Sequence, residues 1–286
     1  MRLVPQESCA ILNIDWSSLH DDEDLRRLIN AKAYEDLLSH LYVSSDSIKS
    51  VVVFSGINGQ AMSGLLLRGS FDRKEVIAEL KSDGWSEHSL ESDQVYVKAA
   101  DYIAIPSNNT LIAGTREGVL AALRAKGDAK ESIVTSPAYK KINAALFSGE
   151  SKPVKAFLVI PQGTLDMADA ALTATSFALS FFDLGGIGQL LKAVAVARGF
   201  AFTLDHGTDD RYPVEVCVLM RDEEAAVFIS GSLNAMKEIS DLAVTDRRDQ
   251  QALREIRKMK ITRTGEVLAI RMEMPRSALF PPAKQF

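Results

Sequence analysis

The sequence predicts an α+β protein made of two tandem, related β-α-β-β-α halves, with a mainly antiparallel sheet and helices packed on one sheet face. Three observations carry this reading. An internal echo links SVVVFSGINGQAMSGLLLRGSFDRKEVIAELK (50–81) with GFAFTLDHGTDDRYPVEVCVLMRDEEAAVFISGSL (199–233). Each copy joins two β-rich runs through a polar, glycine-containing turn, INGQ or DHGTDD, which is hairpin chemistry. Each second run then meets an acidic helix start, Asp72 with Glu75 in one copy and Asp222, Glu223 and Glu224 in the other.

The elements follow in order. CAILNIDW opens the first half as a strand. A helix is expected over 22–41, with Leu25, Leu28, Ile29, Leu37, Leu38 and Leu41 on one face. In the hairpin that follows, alternation puts Val51, Val53, Leu65 and Leu67 on common faces. After the Asp72 helix come three short strands, QVYVKA, YIAIPS and TLIAGT, and a helix over 116–125. The polar stretch KGDAKES and the helix SPAYKKINAALF lead onward, so the boundary between the halves is expected at 126–136, with halves 1–134 and 135–286. The second half repeats the opening with the strand VKAFLVI and a helix over 164–182. It ends in a charged helix over 246–258 and a long strand, GEVLAIRMEMP.

Bulk properties exclude several classes. At 286 residues the chain can bury about three quarters of its unfolded surface. Its 47% apolar and 25% charged residues are globular values. The net charge of −5 argues against general nucleic-acid binding, which needs excess Lys and Arg against phosphates. The richest basic run, with Arg247, Arg248, Arg254, Arg257, Lys258 and Lys260, is broken by Asp246, Asp249 and Glu255 and carries no aromatic to stack on a base. No membrane span is expected, because the most apolar stretch, 170–191, contains Asp183 and three glycines. Cys9 and Cys217 sit in apolar strand-like runs and read as small hydrophobes; whether they pair is open.

VPQESCAILNIDWSSL, LLLRGSFDRKEVIAEL, LIAGTREGVLAAL and GEVLAIRMEMPRSAL succeed one another over the whole chain. That order resembles a class of bacterial exported or lipid-anchored proteins of unknown function. The resemblance implies a tandem α+β fold and a periplasmic or membrane-anchored setting, and it implies no activity. The sequence differs from that class in opening MRLVPQESCAILNID, with no apolar leader run.

The candidates for chemistry are few. Gly185, Gly186 and Gly188 suggest a phosphate cradle, but they follow a helical pattern, Leu191 replaces the third glycine, and Gln189 stands where a P-loop has lysine. A helix break is the simpler reading. HDDEDL at 20–25 reads as an acidic first turn. In DHGTDD, Asp205, His206 and Asp209 offer oxygen and imidazole ligands for a metal ion, although Asp and Gly also suit a hairpin loop. No catalytic residue and no cofactor is assigned. The expected function is a non-enzymatic, extracytoplasmic binding or interaction module. The alternative is a small-ligand or metal-binding enzyme or receptor with a site between the halves. A third reading is a homodimer, or a complex with a protein partner, formed through the 164–182 helix, which has no charge after Asp169.

Overall fold

The computed structural model describes residues 1–19, 22–28, 31–56, 62–146, 152–159, 197–239 and 257–279. The Gly185–Gly186–Gly188 cluster, the 164–182 helix, the INGQ turn and most of the 246–258 helix lie outside these residues. The chain divides into two compact units, Met1–Lys140 and Lys141–Phe286.

The first unit opens with β1 (Ser8–Asp15), then α1 (Glu23–Leu28) and α2 (Ala31–His40) where one helix was expected. The Asp22 carboxylate caps α1 by accepting from the Leu25 amide at 3.0 Å. Leu25, Leu38 and Leu41 are buried as the periodicity predicts, but Leu37 is 42% exposed. The reason is angular. Leu37 lies 100° around the axis from Leu38, at the rim of the apolar stripe.

The hairpin of β2 (Ile48–Gly56) and β3 (Ser63–Gly69) pairs Val51 with Leu67 and Val53 with Leu65, as alternation requires. Phe54 faces Gly64 across it, and a Cβ on Gly64 would stand 2.4 Å from the Phe54 ring. The glycine is therefore the floor on which the aromatic lies. In α3 (Arg73–Ser82) the Asp72 side chain accepts from the Lys74 and Glu75 amides. A meander follows: β4 (Ser86–Leu90), β5 (Asp93–Lys98), β6 (Asp101–Ser107) and β7 (Thr110–Gly114), then α4 (Arg116–Gly127). Sequence reasoning missed β4, SEHSL, because four of its five residues are exposed and it has no alternation. Within the unit the strand order is β1-β2-β3-β7-β6-β5-β4, every neighbouring pair antiparallel. The opening residues are fastened at the far end of α4. Val4 is buried, its carbonyl accepts from Ile133, and the Gln6 amide donates to Glu131.

The unit boundary falls within α5 (Pro137–Leu146). The second unit continues with β8 (Val154–Val159), β9 (Ala197–Leu204), β10 (Arg211–Met220), α6 (Glu223–Ile239), β11 (Lys260–Thr264), β12 (Val267–Pro275) and α7 (Arg276–Leu279). Its strand order is β11-β12-β10-β9-β8, again antiparallel. Val216 through Met220 are all buried, so both faces of β10 are covered. On one face, Ile142 of α5 would be 2.9 Å from a Cβ on Gly199. α6 lies along the outer strands, where Arg263 pairs with Glu223 at one end and the Lys237 ammonium donates to the Met259 carbonyl at the other. Burial of such apolar side chains, at about 1.5–3 kcal/mol each, offsets the backbone entropy of ordering the strands.

Candidate functional site

The turn that carries Asp205, His206 and Asp209 joins β9 to β10. Thr208 and Arg211 exchange backbone hydrogen bonds of 2.8 and 2.9 Å. The two residues between them, Asp209 and Asp210, have φ of 51° and 63°. Positive φ at both central positions is the type I′ geometry that matches strand twist, and Asp tolerates it. Gly207 lies against Tyr212, where a Cβ would come within 2.7 Å of the ring. Arg276, at the start of α7, donates its amide to the Asp210 carbonyl at 2.8 Å.

The Asp205 carboxylate is engaged on both oxygens. One accepts from the His206 amide at 2.9 Å, and the other forms an ion pair with Lys152 in which both side chains are about three quarters buried. The three residues are thus neighbours along one turn, but the cation already at Asp205 is an ammonium. A divalent ion would have to displace Lys152. Among the described residues, no group of three His, Cys, Asp or Glu converges on a position that could hold a metal ion.

The two thiols are free. Cys9 donates to the Ser55 carbonyl at 3.4 Å, and burial raises its pKa. Cys217, in the middle of β10, is fully buried, and desolvation first, then the Glu215 carboxylate, pushes its thiol up to about 12. Neither is poised as a nucleophile.

The surface that departs from ordinary packing is on α6. Twelve consecutive residues, Ala225 to Met236, carry no charge. Ala226 and Leu233 face inward and are buried. On the opposite side Val227 is 49% and Phe228 71% exposed, and Gly231, Ser232, Asn234 and Ala235 are exposed around them. Solvent-facing helix positions ordinarily carry charge. Sequence reasoning applied this rule to 164–182 and missed it here. The acidic run at 222–224 drew attention to the helix start, although the uncharged run was equally visible.

Among the described residues, no helix is long and apolar enough to cross a membrane. No family model and no curated protein matches the chain. Among solved structures it is similar to crystal form I of TP0453, with a TM-score of 0.50 at 12% identity over 97% of this chain and 93% of that one. Crystal form III of TP0453 gives a TM-score of 0.50 at 13% identity over 97% and 94%. At such identities the likeness concerns the fold, and it agrees that the chain is an α+β protein built on antiparallel strands.

Proposed function

We propose that the chain is a non-enzymatic binding or interaction module that works outside the cytoplasm, and that the outward face of α6 is its contact surface. Phe228 is the observation that carries this. An aromatic left in water forfeits the roughly 1.5–3 kcal/mol that its burial would contribute, and a partner that covers it recovers that energy. The polar candidates have structural work instead: Asp205 holds Lys152, and Asp209 supplies a left-handed turn position.

The tandem reading is supported by strand order. The first unit contains β1-β2-β3-β7-β6, with α3 after β3 and α4 after β7. The second contains β8-β9-β10-β12-β11, with α6 after β10 and α7 after β12. On this reading β4 and β5 are an insertion in the first copy. The extracytoplasmic setting rests on the sequence resemblance, and fractionation of the native cells tests it.

The contact reading is tested by a photo-crosslinking phenylalanine analogue at position 228, expressed in those cells. A discrete adduct at 228, absent with the analogue at exposed Lys49, is the expected result. Equal labelling at the two positions would overturn it.

A further inference from the structure

We infer that the first unit binds a phosphate-type dianion on the sheet face that carries Arg68, held by the guanidiniums of Arg68 and Arg2 and by the hydroxyl of Ser50. The placement comes from strand register. Asp15, Ser50, Arg68, Thr110 and Ser107 stand opposite one another across β1, β2, β3, β7 and β6. Residues directly opposite in an antiparallel ladder put their side chains on the same face, with Cβ atoms about 5 Å apart. Arg68 therefore has a hydroxyl residue on each side. Thr110 donates to the Asn109 side chain at 3.1 Å, which leaves Ser50 as the neighbouring hydroxyl that can donate to a ligand.

Arg2 is brought near Arg68 by the Met1–Val4 turn. The Met1 carbonyl accepts from the Val4 amide at 2.9 Å and from the Ser132 hydroxyl at 3.4 Å, and Val4 is buried. Burial first, then Arg68 and Arg2, lowers the pKa of the Met1 amino group to about 6. Both guanidiniums act on one nitrogen, so the two charges lie beside the same turn.

This charge lacks an internal partner. Arg26, Arg27 and Arg124 of the same unit each pair with a glutamate. Among the described residues, neither Arg68 nor Arg2 pairs with a carboxylate. Arg68 is half-buried, between fully buried Leu67 and buried Gly69. A guanidinium that gives up hydration ordinarily gains a partner in exchange. Asp15, the acid on the row, stands two strands away, about 10 Å by strand spacing, and accepts from the Ser17 hydroxyl at 2.8 Å. Two uncompensated positive charges match a dianion, and the planar fork of arginine bonds two oxygens of a phosphate at once.

Equilibrium dialysis of the full chain against radiolabelled inorganic phosphate tests this. The dialysis is run at about pH 8, where the probe is a dianion, and at a constant ionic strength of about 0.05 M set with chloride. The expected result is a single saturable site with a Kd below about 1 mM, weakened at least about tenfold by Arg68→Gln and at least about threefold by Arg2→Gln. Arg2 is exposed, so the second variant leaves the sheet intact. Lys49→Gln is the control. It removes the same charge from the exposed neighbour of Ser50 and should change the affinity by less than about twofold. Competition with glycerol phosphate identifies the source of the phosphate group. Tighter competition than by unlabelled phosphate assigns the site to phosphate monoesters, and weaker competition assigns it to the free anion. No saturable binding up to about 10 mM phosphate overturns the inference. So does a loss with Lys49→Gln equal to that with Arg68→Gln, which is the behaviour of diffuse surface charge.

Discussion

Gly118→Ala is a substitution that helix propensity alone would favour, by about 1 kcal/mol. The structure predicts the opposite. The first turn of α4 stands on the backbone of β3: the Thr115 amide donates to the Ser63 carbonyl at 3.1 Å, and the Thr115 hydroxyl accepts from the amides of Ser63 and Gly118 at 3.2 and 3.1 Å. A Cβ on Gly118 would lie 2.1 Å from that same Ser63 oxygen and 2.7 Å from its carbonyl carbon. Both are backbone atoms held in the β2–β3 ladder, so neither can swing aside. Relief needs a displacement of about 1 Å, which breaks the two hydrogen bonds that the Ser63 and Thr115 amides donate to each other's residue at about 1 kcal/mol each and adds roughly 1–3 kcal/mol of overpacking. After subtracting the propensity gain, the net loss is about 2–4 kcal/mol, a large share of a typical stability of about 5–15 kcal/mol. Gly231→Ala is the matched control, mid-helix with open space around it, and should be stabilising by up to about 1 kcal/mol. Urea unfolding with unchanged m-values reads both. A Gly118→Ala chain at least as stable as wild type would show that the Ser63 carbonyl does not restrict this position.

Thr115→Ala removes the cap of α4 and one acceptor for Ser63, and should cost about 1–2 kcal/mol in the same assay. At the β9–β10 turn, Asp210→Gly should be neutral or stabilising by up to about 1 kcal/mol, because glycine adopts the observed φ of 63° without strain. A loss above about 1 kcal/mol would show that the Asp210 side chain has a further role. The pH dependence of stability carries the signature of Cys217. Its folded pKa, about 12, lies above the ordinary 9.0, so above pH 9 the unfolded chain loses a proton that the folded chain keeps. Its contribution is therefore complete below pH 9 and is lost toward pH 12, with a slope approaching about 1.4 kcal/mol per pH unit, and Cys217→Ala should flatten that slope.

The legible parts of the fold were those in which local chemistry and tertiary role coincide. Asp72 caps α3 and Asp222 precedes α6 as the acidic starts implied, and the cross-strand pairs Val51–Leu67 and Val53–Leu65 were readable from alternation. β4 was not, because an exposed edge strand leaves no apolar signature in SEHSL. The split of the 22–41 helix was hidden by a leucine pattern that runs on through it. At the polar turn, Asp and Gly serve ligand binding and backbone geometry equally well in a sequence. Only the φ angles at 209 and 210 and the pairing of Asp205 with Lys152 show what they do here. The α6 face was legible in principle, as twelve uncharged residues, but its inward and outward sides separate only once Leu233 is seen buried and Phe228 exposed.

On the proposed reading, Phe228, 71% exposed, belongs to a contact surface and not to the core of this chain. Urea unfolding of Phe228→Ser tests this most directly. A change within about 0.5 kcal/mol is expected, as for a surface position. A loss of about 3 kcal/mol or more, the magnitude for truncating a buried phenylalanine, would contradict it.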